Sequence, residues 1–180
     1  MKIVSIVGMA GSGKSVVARV FEQAGFKRVR LGDITDEEVK KRRLPLNEEN
    51  ERRVREQLRE QHGMAAYALL NLPRIDEQLK SSNVVIDGLY SWEEFLFLKE
   101  RYGNRLTLIA VWASPSTRYK RLTGRAVRPL TVEQAASRDR AEIENSEKGG
   151  PIAMADYTLV NETNIEDLEK QARQVLAILK

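Results

Sequence analysis

Eight residues near the start of the chain have the types and spacing of a phosphate-binding loop. They are Gly8-Met9-Ala10-Gly11-Ser12-Gly13-Lys14-Ser15: a glycine, four residues, then Gly-Lys-Ser. Glycines let the backbone curl until successive N–H groups point inward at phosphate oxygens. A helix that follows adds the positive end of its dipole. In that setting Lys14 reaches the β- and γ-phosphates and the Ser15 hydroxyl ligates Mg²⁺. A purely structural glycine turn is the bland alternative, and it leaves Lys14 without a purpose.

Other residues have chemistry that complements such a loop. Asp87 follows the apolar run Asn83-Val84-Val85-Ile86, where a strand-end carboxylate holds Mg²⁺ directly or through water and faces the acceptor. Asp33 stands at the end of Lys27-Arg28-Val29-Arg30-Leu31-Gly32. It reads either as the general base for an acceptor hydroxyl or as a cap on its own turn. Arg118, Arg121, Arg125, Arg128, Arg138 and Arg140 cluster farther on, and the first three share one helical face if their helix persists. Such a cluster is either a solvated basic surface or a lid over about 117–145 that closes on phosphates and excludes water. In the lid reading Arg121, Arg125 and Arg138 are the catalytic candidates. Arg59 and His62, near the end of a helix of mixed charge, are placed to meet an acceptor.

The elements that must position these groups follow from periodicity and punctuation. Lys2–Val7 reads as a buried strand, and Val16, Val17, Val20, Phe21 and Ala24 recur at helical spacing before Gly25. Lys27–Leu31 predicts a second strand. Thr35 and Glu38 form a capping-box pattern for a helix that must end before Pro45. Acceptor-side helices then cover about 34–80, with Asn47 capping one at 48–61 and Pro73 kinking or dividing the next. Asn83–Ile86 is the third strand, and Ser91 with Glu94 opens another helix in the same way. Leu106–Ala113 is apolar enough for a strand covered on both faces. Ser114-Pro115 and the Thr131/Gln134 pair start two further helices around a basic loop, Gly124–Leu130. A short helix over 151–155, a strand at Tyr157–Val160 and an amphipathic helix capped by Asn164 complete the chain. Trp92 and Trp112 read as packing residues.

Strands alternating with helices predict an α/β fold, a single domain over 1–180 with a five-stranded parallel sheet and helices on both faces. Ligands of such sheets sit at the carboxyl ends of the strands, where the loop, Asp33 and Asp87 all fall. The 180 residues suffice for one core, 42% are hydrophobic and 31% charged. No apolar run reaches the length of a membrane span, and the N-terminus lacks the layout of a signal peptide. The absence of cysteine excludes disulfides and thiolate metal sites, and the expected location is cytoplasmic. One histidine excludes a histidine metal cluster within one chain. The net charge of +4 without interleaved aromatics points to small phosphorylated ligands rather than nucleic acid.

Gly8–Ser15, Gly32-Asp33, Asp87-Gly88, the lid arginines and Ala153–Tyr157 leading to Asn161 give the chain a resemblance across nearly its whole length. It resembles the small-molecule P-loop kinases of the nucleoside monophosphate kinase and dephospho-coenzyme A kinase type, most of all an adenylate-kinase-related, dephospho-CoA-kinase-like branch. The resemblance implies a P-loop three-layer sandwich, ATP and Mg²⁺ as cofactors, and Asn161 lying near the adenine. It implies a γ-phosphoryl transfer, with Asp33 as the base for a hydroxyl acceptor. Monophosphate kinases carry an arginine where this chain has Asp36, and another within the stretch occupied by Leu89-Tyr90-Ser91-Trp92. Those arginines clamp the acceptor phosphate, so their absence tilts the expectation toward a hydroxyl acceptor. The rivals are a monophosphate kinase in which Arg59 compensates, and an ATP-binding regulatory or RNA-associated protein.

Overall fold

The structure is a computed structural model that describes residues 1–179. Five parallel strands form one sheet: β1 (Ile3–Val7), β2 (Lys27–Arg30), β3 (Val84–Asp87), β4 (Leu106–Trp112) and β5 (Tyr157–Val160), in the order β2-β3-β1-β4-β5. The most apolar strands, β1, β3 and β4, take the centre, as burial on both faces requires. The edge strands β2 and β5 carry most of the exposed and half-exposed positions.

Nine helices among the described residues connect the strands. They are α1 (Lys14–Gln23), α2 (Asp33–Lys41), α3 (Glu48–His62), α4 (Ala66–Leu79), α5 (Trp92–Tyr102), α6 (Pro115–Thr123), α7 (Val132–Glu144), α8 (Gly149–Ala153) and α9 (Ile165–Leu179). Alternation along β1 splits the core in two. Ile3 and Val7 face Val54, Leu58, Tyr67, Ile75 and Leu98 of α3–α5. Val4 and Ile6 face Val17, Phe21, Leu168 and Val175 of α1 and α9. A third, small cluster of Ala10, Leu122, Leu130 and Ala135 seats α6, α7 and the loop between them against the phosphate loop.

Several local expectations are corrected by packing. α2 begins at Asp33, not at Thr35, whose buried hydroxyl pairs with the Tyr67 hydroxyl at 2.6 Å and so caps nothing. At α5 the Ser91 hydroxyl caps Glu94 N–H, but the Glu94 carboxylate accepts from Tyr90 N–H at 2.8 Å instead of from Ser91. Thr131 and Gln134 do form a reciprocal capping box. Pro73 lies inside an unbroken α4; the carbonyl it leaves without a partner belongs to Leu69, which is exposed to water. Trp92 packs on Phe95 and Gly150, whereas Trp112 is 46% exposed at the end of β4 and is no core residue. No helix among the described residues is long and apolar enough to cross a membrane.

Candidate active site

The phosphate loop turns off the carboxyl end of β1 under tight steric limits. A Cβ on Gly8 would stand 2.4 Å from the Val111 carbonyl oxygen, so only glycine lets the chain leave β1 beside β4. Gly13 has φ 106°, and a Cβ there would meet Asn161 Nδ2 at 2.4 Å. α1 then opens at Lys14, with its first N–H groups free of side-chain caps, as an anion site at a helix N-terminus requires.

Lys14 turns back onto the loop, where its ammonium donates to the carbonyls of Gly8 at 2.8 Å and Met9 at 3.0 Å. Burial, reinforced by the nearby Lys148 charge, pushes it down to about 7. The parallel register Ile6↔Asp87 brings the end of β3 beside the loop. The Ser15 hydroxyl donates to Asp87 Oδ2 at 3.2 Å, joining residues 72 positions apart. A hydroxyl and a carboxylate are hard oxygen donors suited to Mg²⁺. No group of three or more acidic, histidine or cysteine side chains among the described residues can hold a metal ion unaided. The pair therefore fits a cation whose remaining ligands are phosphate oxygens and water. Asp87 also accepts from Arg28 Nη2 at 2.5 Å, an arginine on β2 that competes with a cation for the same oxygen.

Asn161 is spent inside the protein. Its Nδ2 donates to the Ser12 carbonyl at 2.7 Å, while Arg121 donates to its backbone oxygen at 3.0 Å and its side-chain oxygen at 3.3 Å. The lid arginines do not form one aligned face. α6 stops at Thr123, so Arg125 lies beyond it in the loop. Arg118 is buried in a two-pronged pair with Asp139 at 2.6 and 2.8 Å, and also binds the carbonyls of Ala10 and Ala113. It anchors the lid rather than facing a ligand. Arg128 bridges Asp36 of α2 at 3.3 Å and Glu51 of α3 at 3.2 Å, which draws the loop between α6 and α7 onto α2 and α3. Arg140 is exposed and pairs with Glu144.

Arg125 is exposed and makes no ion pair among the described residues. Partial desolvation, with the Arg138 and Arg128 charges, pushes its guanidinium below its ordinary value. It opens on a cavity of about 630 Å³ between lid and α2–α3. The lining includes Arg30, Arg55, Arg125, Arg128 and Arg138 against Asp36, Glu48 and Glu51. Asp33 does not line it: its carboxylate binds Arg30 at 2.7 Å, and Arg30 also holds Asp36 at 3.0 Å. Arg59 lines a neighbouring cavity of about 670 Å³ between α3 and α7, its guanidinium 5.8 Å from the Tyr67 ring centre and its Nε buried without a partner. His62 is exposed at the end of α3.

Among the charged residues of the site that no sequence pattern picked out are Arg28, Glu142 and Lys148. Glu142 stands four residues after Arg138 on α7, a spacing that signals a pair on a helix. Burial alone would raise its carboxyl, but Lys148 and Arg138 hold it well below the usual carboxylate range. Arg28 and Lys148 carry no local signal.

Residues 4–148 match a family described as an AAA domain. The UPF0200 protein TK1334 of Thermococcus kodakarensis is 39% identical over 178 residues, covering 97% of this chain and 96% of the relative. Among solved structures, TT1252 from Thermus thermophilus has a TM-score of 0.65 at 24% identity, with 99% of this chain and 98% of that one covered. A shikimate kinase from Bacteroides thetaiotaomicron has a TM-score of 0.63 at 12% identity, with the same coverage. These structural likenesses establish the fold: a five-stranded parallel sheet flanked by helices, as in P-loop kinases.

Proposed function

The chain belongs to the UPF0200 family of AAA-domain proteins, and from that premise we propose that it is an ATP- and Mg²⁺-dependent small-molecule kinase. Its acceptor in this reading is a hydroxyl on a small phosphorylated molecule, as in dephospho-CoA kinases. The observation that carries the proposal is the junction of Lys14, Ser15 and Asp87 at one end of the sheet, beside a lid-covered cavity of mixed charge.

The roles divide by position. The backbone of Gly8–Gly13 and the start of α1 bind the phosphates of ATP, with Asn161 holding the loop in shape. Ser15 and Asp87 hold Mg²⁺, which when bound screens phosphate charge. Lys14 leaves the carbonyls of Gly8 and Met9 for the β- and γ-phosphates. Arg125, without an ion pair among the described residues, neutralises charge on the transferring group, Arg138 stands beside it already paired with Glu48 and Glu142, and Arg121, fixed to Asn161, sets the base of the lid. Asp36, which lines the cavity and shares Arg30 with Asp33, takes the acceptor proton, and Asp33 positions Arg30 from outside the cavity.

Pairing within the cavity favours a hydroxyl acceptor. Arg30 is bound by Asp33 and Asp36, Arg55 by Glu48 and Glu51, and Arg128 by Asp36 and Glu51. Arginines so neutralised make poor clamps for a second phosphate. A second reading, a nucleoside monophosphate kinase, is favoured by Arg59, whose unpartnered Nε could serve as such a clamp. ATP consumption measured with dephospho-CoA, AMP and CMP separates the two. Turnover with dephospho-CoA that is lost in Asp33→Asn or Asp36→Asn supports the hydroxyl reading. Turnover with AMP or CMP alone, abolished in Arg59→Ala, sinks it.

A further inference from the structure

One buried cation, Lys148, has no part in the proposed roles. Lys148 sits at the junction of α7 and α8 with its side chain 1% exposed. The chain aims it inward: Glu147 takes a left-handed φ of 47°, Lys148 N–H donates to the Glu142 carbonyl at 3.2 Å, and Trp92 N–H to the Ser146 carbonyl at 3.1 Å. A buried ammonium demands compensation. Lys148 has one carboxylate, Glu142 at 2.8 Å, and the face of the Tyr90 ring with its centre 5.0 Å away.

That one carboxylate is oversubscribed. Glu142 also accepts from Arg138 Nε at 3.1 Å, while Arg138 reaches Glu48 at 3.3 Å and lines both cavities. Lys14 feels the Glu142 charge as well, and it makes no ion pair among the described residues. Arg138 and Lys148 thus share Glu142, a cationic nest that a polyanion would fill better than one carboxylate does. The Tyr90 ring packs against Gly88, the neighbour of Asp87, so the ring under Lys148 adjoins the end of β3.

We propose that Lys148 binds the terminal phosphate of a nucleoside triphosphate, and that Glu142 holds the lysine in reserve until that phosphate takes the carboxylate's place. The inference rests on the nucleotide reading of the loop. It makes Lys148 a residue that distinguishes a triphosphate from a diphosphate. A purely structural staple between α7 and α8 would serve both nucleotides alike.

The test is the ratio of dissociation constants for ADP and for a non-hydrolysable ATP analogue, each with Mg²⁺, in wild type, Lys148→Met and Lys148→Arg. Loss of one charge-assisted contact lowers the preference for the triphosphate about tenfold in Lys148→Met. Lys148→Arg keeps most of that preference. An unchanged ratio in Lys148→Met overturns the proposal while leaving the nucleotide reading intact, and binding of neither nucleotide to wild type overturns both. A crystal structure of the wild type with the ATP analogue is independent of any variant's folding. Lys148 Nζ within hydrogen-bond distance of the terminal phosphate supports the assignment; Lys148 still bound to Glu142 alone refutes it.

Discussion

Asn161 Nδ2 donates to the Ser12 carbonyl at 2.7 Å, so a residue just beyond the last strand sets the shape of a loop 149 positions earlier. The same side chain receives Arg121, which ties the lid base to the phosphate loop through one buried amide. Asn161→Ala removes both side-chain contacts, keeps the Arg121 bond to the backbone oxygen, and leaves the Ser12 carbonyl without its partner. The expected loss is about 1–3 kcal/mol in urea unfolding, with weaker nucleotide binding by calorimetry. Gly13→Ala is expected to damage binding more, because its Cβ collides with that amide and its φ of 106° disfavours any side chain. Nucleotide affinity unchanged in both variants would show that the loop keeps its shape without this contact.

Asp87 is shared between Ser15 and Arg28, so a cation must compete with a guanidinium. Asp87→Asn should raise the Mg²⁺ concentration needed for half-maximal activity at least about tenfold. Arg28→Met should act in the opposite direction by freeing the carboxylate. A Mg²⁺ titration of both variants checks the pair, and movement in the same direction contradicts the competition.

The pH dependence of stability carries two signatures. Burial raises Glu94 to about 7 from an ordinary 4.5, so between those values the native state keeps a proton that the unfolded chain has released. Stability falls there as pH rises. Lys14, lowered to about 7 from 10.5, is deprotonated in the native state while the unfolded chain remains charged, so stability rises with pH from about 7 to 10.5. Together they predict a dip near neutrality in urea midpoints. Glu94→Gln should flatten the acid side and Lys14→Met the alkaline side, and a wild-type profile without the dip would count against both assignments.

Arg118 and Asp139 form a buried bidentate pair that also grips the Ala10 carbonyl in the loop. Asp139→Ala leaves an uncompensated buried guanidinium and should cost about 3–5 kcal/mol. Arg125→Ala, at an exposed residue without an ion pair, should leave stability within about 0.5 kcal/mol and lower turnover. Thermal melts of the two variants make the comparison. Equal destabilisation would mean that Arg125 is as structural as Arg118.

Whatever a short window encodes was legible in the residues alone. The Gly-Lys-Ser loop between a buried strand and an amphipathic helix lies where the pattern places it, and the five strands fall within a residue or so of the segments predicted for them. The reciprocal cap at Thr131 and Gln134 is likewise local, because a capping box closes within one turn. Thr35 carries the same pattern and fails as a cap because its hydroxyl is taken by Tyr67, 32 residues away. That is the limit of a local reading. Tertiary structure alone decided that Arg118 anchors, that Arg121 grips Asn161, that Arg28 contests Asp87 and that Lys148 turns inward to Glu142. Identical arginines on one stretch of chain part company there, since each charge takes the partner that the strand order β2-β3-β1-β4-β5 brings within reach. Side-chain type and spacing specify which groups a site contains; burial and pairing across the fold specify which of them remain free to meet a ligand.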